Sequence, residues 1–364
     1  MRKSFTQNPF GPLLTPEKAE AIAEGLKGNF HYACEFEPGG GAALFAGHMA
    51  ERLAGGGRLL FQADLQMATG GEHLVKLVAR SFVQTFAGDL RRIEGALRKL
   101  IPTATPRLVM DENPHIDIDY GTEPNRIFAN LLDLPEMMAA EEGCGATVIW
   151  NGFGRIEEIL GAEGPRLFAA KVKGQAITSH MMIGAGVIKI AQKLEGGMPG
   201  RVRQLRGAEL APREALEACL IQVFAMEGLA LKPETAAVIV RLADGKLEAA
   251  QNIARAFGRN WGAAPGTAAL DQAVDDILAD AATAHEQVWE LLNLRQRGVL
   301  YGLTRGGERS LYSEWFIGEF GFKTATNLQA AIRALDAKGI LHKRGKQWVF
   351  ADPLFALWIQ RRGA

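Results

Sequence analysis

Chemistry is most concentrated at three points of the sequence. At the first, Glu37-Pro38-Gly39-Gly40-Gly41-Ala42-Ala43 joins a short aromatic-rich stretch, Asn29 to Glu37, to a run with helical spacing. Consecutive glycines between a strand and a helix let backbone N–H groups wrap an anion, and the helix N-terminus adds partial positive charge. A working phosphate loop also needs a lysine that reaches the outer phosphates and a Ser or Thr hydroxyl that holds magnesium. Ala42 and Ala43 stand in those two places, so Gly39, Gly40, Gly41, Ala42 and Ala43 form a cofactor-binding turn without the parts for hydrolysis by the usual route. Without a ligand, the same glycines are plain turn chemistry.

The second point is Leu108-Val109-Met110-Asp111-Glu112-Asn113 within Thr105 to Asn113, an apolar strand ending in two acids. There Asp111 is a candidate magnesium ligand, and Glu112 a candidate catalytic acid that polarises an attacking water. Alternatively, the pair merely solvates a strand end. The third point is the strand Gly145 to Gly152, which ends on the polar Asn151. His115, Asp117 and Asp119 would share one face of a strand as metal ligands, but ligand-type residues after such a strand more often only meet water. The seven histidines are otherwise scattered. No HExxH, Cys/His cluster or G-x-S-x-G is present, so zinc chemistry and hydrolase triads have no support.

These points are positioned by alternating elements. A helix capped by Thr15 with Pro16 at its first position runs to Lys27. Strands at Asn29–Glu37, Arg58–Leu65, Thr105–Asn113 and Gly145–Gly152 alternate with helices, and two of them are almost continuously apolar. That pattern predicts an α/β fold, a parallel sheet with helices on both faces whose ligands bind at the carboxyl ends of the strands. The apolar run Ala176 to Ala191 is interrupted by His180 and Lys189 and is shorter than the ~20 residues that span a bilayer. It is expected to be an amphipathic or buried helix.

After about residue 207 the pattern is helical only, and the last 80 or so residues change again. A long helix from about His285 to Leu303 precedes two short helices and a hairpin turning at Arg344-Gly345, the order of a winged helix-turn-helix. Lys323, Thr324, Thr326, Asn327, Gln329 and Arg333 fall on or near its second short helix, and Lys343, Arg344 and Lys346 in the wing. Helix side chains could meet base edges while wing cations meet phosphates, which makes these residues a candidate DNA surface. The competing reading is a domain for packing or for a protein partner. Trp315, Phe316, Phe320 and Phe322 are expected in its core.

Across nearly the whole chain, Asn8-Pro9-Phe10-Gly11-Pro12, the glycine turn, Phe61-Gln62-Ala63-Asp64-Leu65, the Asp111-Glu112 strand, Thr147 to Gly152, Leu294 to Leu303 and Val349 to Arg362 resemble the archaeal-type ATPase family of AAA+/STAND P-loop NTPases. The Asp352-Pro353-Leu354-Phe355 helix with Trp358 is its most specific motif. The resemblance implies a P-loop NTPase domain over 1–207, a helical lid over 208–282 and a winged helix over 283–364. It also implies ATP or ADP with Mg as cofactors, Asp111 as the magnesium-coordinating acid, Glu112 as the catalytic acid and Asn151 as a polar sensor. The usual Gly-x-Pro after the lid helices is replaced by Gly245-Lys246-Leu247, and 161–198 reads as an insertion.

Bulk composition agrees with a multidomain globular chain. The 364 residues exceed what one hydrophobic core organises, 48% are hydrophobic, and 41 basic residues balance 41 acidic ones. Any attraction to nucleic acid must therefore come from a local patch. Three widely spaced cysteines and an N-terminus with no apolar core of signal length point to a cytoplasmic protein without membrane contact. The expected function is that of a degenerate ATPase-family regulator or scaffold, nucleotide-biased or nucleotide-independent, whose winged helix meets DNA or a protein. The alternatives are an active ATPase with a lysine supplied from elsewhere, and a pure protein-interaction module.

Overall fold

The computed structural model describes residues 16–85, 90–101, 105–109, 115–119, 123–195, 200–261, 267–305, 311, 313–320, 322 and 324–362. They divide into two compact units. One holds the described residues up to Glu37 together with Ala42–Ala211, and the other holds Pro38–Gly41 with the chain from Pro212 onward.

The first unit runs α1 (Pro16–Lys27), β1 (His31–Glu35), α2 (Ala42–Leu53), β2 (Arg58–Asp64), α3 (Gly71–Gln84), α4 (Leu90–Leu100), β3 (Thr105–Val109) and β4 (His115–Asp119). It continues with α5 (Pro124–Leu131), α6 (Leu134–Glu142), β5 (Gly145–Asn151), a 3-10 turn at Phe153–Arg155, α7 (Ile156–Leu160), α8 (Glu163–Lys173), β6 (Thr178–Gly184), α9 (Val187–Glu195), β7 (Val202–Arg206) and α10 (Gly207–Leu210). Five strands form an all-parallel sheet in the order β2-β5-β6-β1-β7. Alternate residues of its inner strands feed opposite cores. Val148, Trp150 and Met182 join Phe61, Phe82, Phe128, Phe153 and Phe168 on one face, while Ile149, Met181 and Ile183 join Tyr32, Cys34, Phe45 and Met49 on the other. Burial on both faces is what near-continuous apolar strands require.

Two expectations are corrected here. Within 161–198, expected as an insertion, Thr178–Gly184 forms β6, all seven residues of which are buried between β5 and β1. The helix expected over Ala176–Ala191 is therefore β6 followed by the start of α9, because a short apolar run has no periodicity that separates a buried strand from a buried helix. The second correction concerns Thr105–Val109, which lies outside the parallel sheet and pairs antiparallel with β4, Leu108 opposite Ile116. Pro106 is the residue that disfavours a central strand here, since it has no N–H for a second ladder.

The second unit is helical up to its end: α11 (Arg213–Met226), α12 (Pro233–Leu242), α13 (Leu247–Arg259), α14 (Thr267–Asp280), α15 (Ala282–Glu290), α16 (Leu294–Arg305), α17 (Glu314–Glu319) and α18 (Ala325–Ala337). The antiparallel hairpin β8 (Leu341–Arg344) and β9 (Gln347–Phe350) and the closing α19 (Pro353–Arg362) complete it. Arg344 pairs with Gln347, so the wing turns at Gly345-Lys346, one residue later than expected. The expected long helix is broken at Leu291–Asn293, where Asn293 and Gln296 exchange side-chain and backbone hydrogen bonds of 3.0 and 3.1 Å. That reciprocal cap starts a new helix. Val299, Leu300, Phe316, Phe322, Leu328, Ile332 and Phe355 form the winged-helix core, with Phe320 packed against it, as the aromatic spacing predicts. The side chain of Trp315 lies outside the described residues. The helical region and the winged helix, expected as separate domains, group in one unit together with Pro38–Gly41. Among the described residues no helix is long and apolar enough to cross a membrane.

Candidate functional site

At the carboxyl edge of the sheet, β1 runs into the glycine turn and α2 begins at Ala42. Gly39 and Gly41 take φ of 74° and 90°, which side chains with a Cβ rarely adopt, so the turn has the backbone form that glycine alone allows cheaply. Ala42 is half-buried and Ala43 exposed, and both present a methyl group where a lysine and a hydroxyl would be needed.

The neighbouring strand ends add little chemistry. β6, next to β1, finishes on Ile183-Gly184, and β5, one strand further, finishes on Asn151. Asn151 is 7% exposed, and its Oδ1 has no hydrogen-bond partner among the described residues. Glu35, at the end of β1, accepts the Ile188 N–H at 3.3 Å and so caps the start of α9. Asp64 ends the edge strand and accepts the Gln66 N–H at 2.9 Å, which closes a turn. Asp111 and Glu112 lie outside the described residues, and the strand that leads to them is not one of the five. Among the described residues no group of three or more His, Cys, Asp or Glu could hold a metal ion.

Within its own unit the glycine turn meets the connection between α12 and α13. The Glu248 N–H donates to Gly39 O at 3.2 Å, and a Cβ placed on Gly41 would lie 2.5 Å from Leu247 Cδ2. Lys246 is 2% exposed, and its Nζ donates to the carbonyls of Phe350 and Ala351 at 2.8 and 2.7 Å. A buried ammonium is tolerable only with such partners. The side-chain and metal-ligand chemistry of a magnesium-nucleotide site is thus unmatched at this turn: methyl groups replace the lysine and hydroxyl, and a leucine packs against the last glycine. Sequence spacing carried no signal for the approach of Leu247, because it joins residues about two hundred positions apart.

On the winged helix, Thr324 is the exposed N-cap of α18 and accepts the Asn327 N–H at 3.3 Å. Thr326, Gln329 and Arg333 are exposed at helical spacing, opposite the buried Leu328, Ile332 and Leu335, so they share one outer face. Asn327 is half-buried at the edge of that face, and Lys323 lies outside the described residues. In the wing Lys343 and Lys346 are exposed. Arg344 differs, since its guanidinium pairs with the Asp244 carboxylate at 3.0 Å.

A five-stranded parallel sheet entered through a strand–glycine turn–helix, followed by helices and a winged helix, defines a P-loop ATPase-type fold with a C-terminal winged helix domain. Comparison with known proteins agrees. Residues 283–361 match the family described as a probable winged helix domain. The Walker-type ATPase of Pyrococcus abyssi shares the fold with a TM-score of 0.59 at 14% identity, over 99% of this chain and 98% of that one. The Orc1 protein of Aeropyrum pernix, solved in complex with DNA, has a TM-score of 0.50 at 12% identity, over 99% of this chain and 95% of that one. No curated protein sequence is detectably similar. At these identities the likeness is one of fold.

Proposed function

We propose that this chain is a non-hydrolysing, nucleotide-independent member of the P-loop ATPase-type fold that works as a scaffold and contacts duplex DNA through its winged helix. The observation that carries the first half is the pair Ala42 and Ala43 at the start of α2. Phosphoryl transfer is catalysed almost wholly by positioned charge, and the two side chains that would bring a lysine and a metal to the phosphates are methyl groups. The DNA half rests on the outer face of α18, Thr326, Gln329 and Arg333, beside the two exposed wing lysines. Helix side chains of this kind read base edges, and wing cations position on phosphates. That a protein of similar fold was solved in complex with DNA supports this choice over a protein partner.

Isothermal calorimetry of the full chain with ATP, with and without magnesium, tests the first half. Absence of heat at millimolar ATP is the expected result, and magnesium-dependent binding in the micromolar range would return the chain to the active ATPases. Fluorescence anisotropy with a labelled duplex tests the second half. Binding should weaken steeply as salt rises, because phosphate contacts release counterions; a chain that leaves the duplex free at low salt has a different partner.

A further inference from the structure

Asp244, Gly245 and Lys246 lead from α12 into α13, which starts at Leu247, and the contacts of these four residues run in two directions. Asp244 holds φ 51°, a left-handed conformation uncommon for a residue with a side chain, and Gly245 follows at 70°. Such backbone persists where the surroundings over-determine it. Towards the wing, the Asp244 carboxylate pairs with Arg344 at 3.0 Å, and the Lys246 ammonium takes the carbonyls of Phe350 and Ala351, where β9 passes into α19. Arg213 joins the same carboxylate at 3.4 Å from the start of α11. In the other direction, Leu247 fills the hollow left by the missing Cβ of Gly41, and the Glu248 N–H closes on Gly39 O.

We propose that the α12–α13 turn is a built-in lock that ties the glycine turn to the wing, so that the chain itself makes the contacts by which a ligand at Gly39–Gly41 could otherwise set the winged helix. Leu247 is the inward end of the lock, and Lys246 with Asp244 the outward end. The two ends sit on adjacent residues of a turn with two left-handed positions, so displacing one displaces the other. The lock rests on the reading that the glycine turn takes no nucleotide, yet it is tested without one.

The test is amide hydrogen exchange on the full chain. The Glu248 N–H, bonded to Gly39 O, reports the inward end, and the Ala351 N–H, bonded to Ile340 O at 2.9 Å, reports the wing. Gly41→Ala would press a methyl group into Leu247, and Lys246→Met removes the ammonium. Each is expected to speed exchange at both reporters by about tenfold, while amides of β6 stay at their wild-type rates. Acceleration confined to the reporter nearest each substitution would overturn the lock. If Lys246→Met also deprotects β6, Lys246→Arg takes its place. Because arginine can still donate to both carbonyls, it should leave the two reporters within about twofold of wild type or move them together; moving one alone overturns the proposal. Binding of ATP by the wild-type chain would sink the nucleotide-free reading and leave this exchange pattern unaffected, so the two can fail separately.

Discussion

The two edges of the five-stranded sheet have opposite chemistry. At the amino edge several buried or half-buried polar groups are engaged. Arg58 donates to Ala146 O at 2.6 Å, Ile177 O at 2.8 Å, Asn29 Oδ1 at 3.0 Å and Lys27 O at 3.2 Å. Glu136 accepts the N–H groups of Ala176 and Ile177 and the Thr178 hydroxyl. Beneath them a relay runs from the Trp150 indole N–H to His180 Nδ1, from His180 Nε2–H to Gln175 Oε1 and from the Gln175 amide to Leu132 O. At the carboxyl edge, where a fold of this class binds its ligands, Asn151 has a buried oxygen with no partner among the described residues, Glu35 caps α9, Asp64 closes a turn, and α2 starts on two alanines. The engaged polar groups of this sheet thus gather at its amino edge, and few of the described residues bring polar side chains to the carboxyl edge.

The largest expected effect comes from breaking the amino edge at Arg58. Arg58→Met leaves several half-buried acceptors without a charged donor, each such hydrogen bond contributing roughly 1.5–3 kcal/mol, so a loss of about 4 kcal/mol is expected in urea unfolding. Arg58→Lys should recover only part of it, because an ammonium cannot reproduce the guanidinium fork. A loss below about 1 kcal/mol would show that this edge is as dispensable as the other.

Acid attacks the same edge through its histidines. His31 Nδ1 accepts the His180 N–H at 3.1 Å, and the two rings stack at 5.6 Å. Burial, helped by Arg201, lowers the His31 pKa to about 4, and burial with His31 beside it holds His180 well below the usual range. Both are bases whose folded pKa is depressed, so the unfolded chain takes up protons first. The associated stability is present above the unfolded value of 6.5 and is lost as pH falls towards 4. His31 alone accounts for about 3 kcal/mol over that window. Urea unfolding at intervals from pH 7 to 4 should show this decline, and His31→Gln, which keeps an acceptor without the titration, should make it shallower while the His180 share remains.

Much of this architecture is legible in the sequence, and the reasons for the rest are specific. Pro16, the PGGG turn, the strands at Arg58 and Gly145 and the helix–hairpin–helix end all announce themselves through caps, glycines and period, which are local signals. β6 does not, because a fully buried strand and a buried helix share one apolar pattern, and without it Thr105–Val109 is counted among the strands of the parallel sheet. Pro106 and the Asn293–Gln296 cap were readable signals that the apolar pattern outweighed. The Arg58 fork and the Leu247–Gly41 approach depend on register and on packing between distant segments, which no local pattern encodes. Arg344 was legible as a cation but not as one already paired.

The carboxyl edge should tolerate what the amino edge does not. Asn151→Val removes a buried carbonyl oxygen that has no partner among the described residues, and burying such a group costs about 1–3 kcal/mol, whereas an apolar replacement restores part of that cost and loses little volume. A change within about 1 kcal/mol of wild type is expected, towards greater stability. A clear destabilisation would mean that Asn151 holds a partner in solution and that the edge retains a polar task.

The smallest effects on stability belong to the wing, where the comparison of edges becomes a statement about where function remains. Lys343 and Lys346 are exposed, so replacing each with alanine should change stability by no more than about 0.5 kcal/mol. Each should nevertheless lower the slope of log affinity against log salt for duplex DNA by about 1, the counterion share of one phosphate contact. Arg344 provides the internal control. Its guanidinium is held by Asp244 at 3.0 Å, so Arg344→Ala should leave the salt slope at its wild-type value while lowering the melting temperature. A slope that falls equally for all three would show that Arg344 leaves Asp244 for the phosphate when DNA binds. A slope unchanged by Lys343→Ala and Lys346→Ala together would remove the wing from DNA binding and leave Thr326, Gln329 and Arg333 on a surface shaped for a protein.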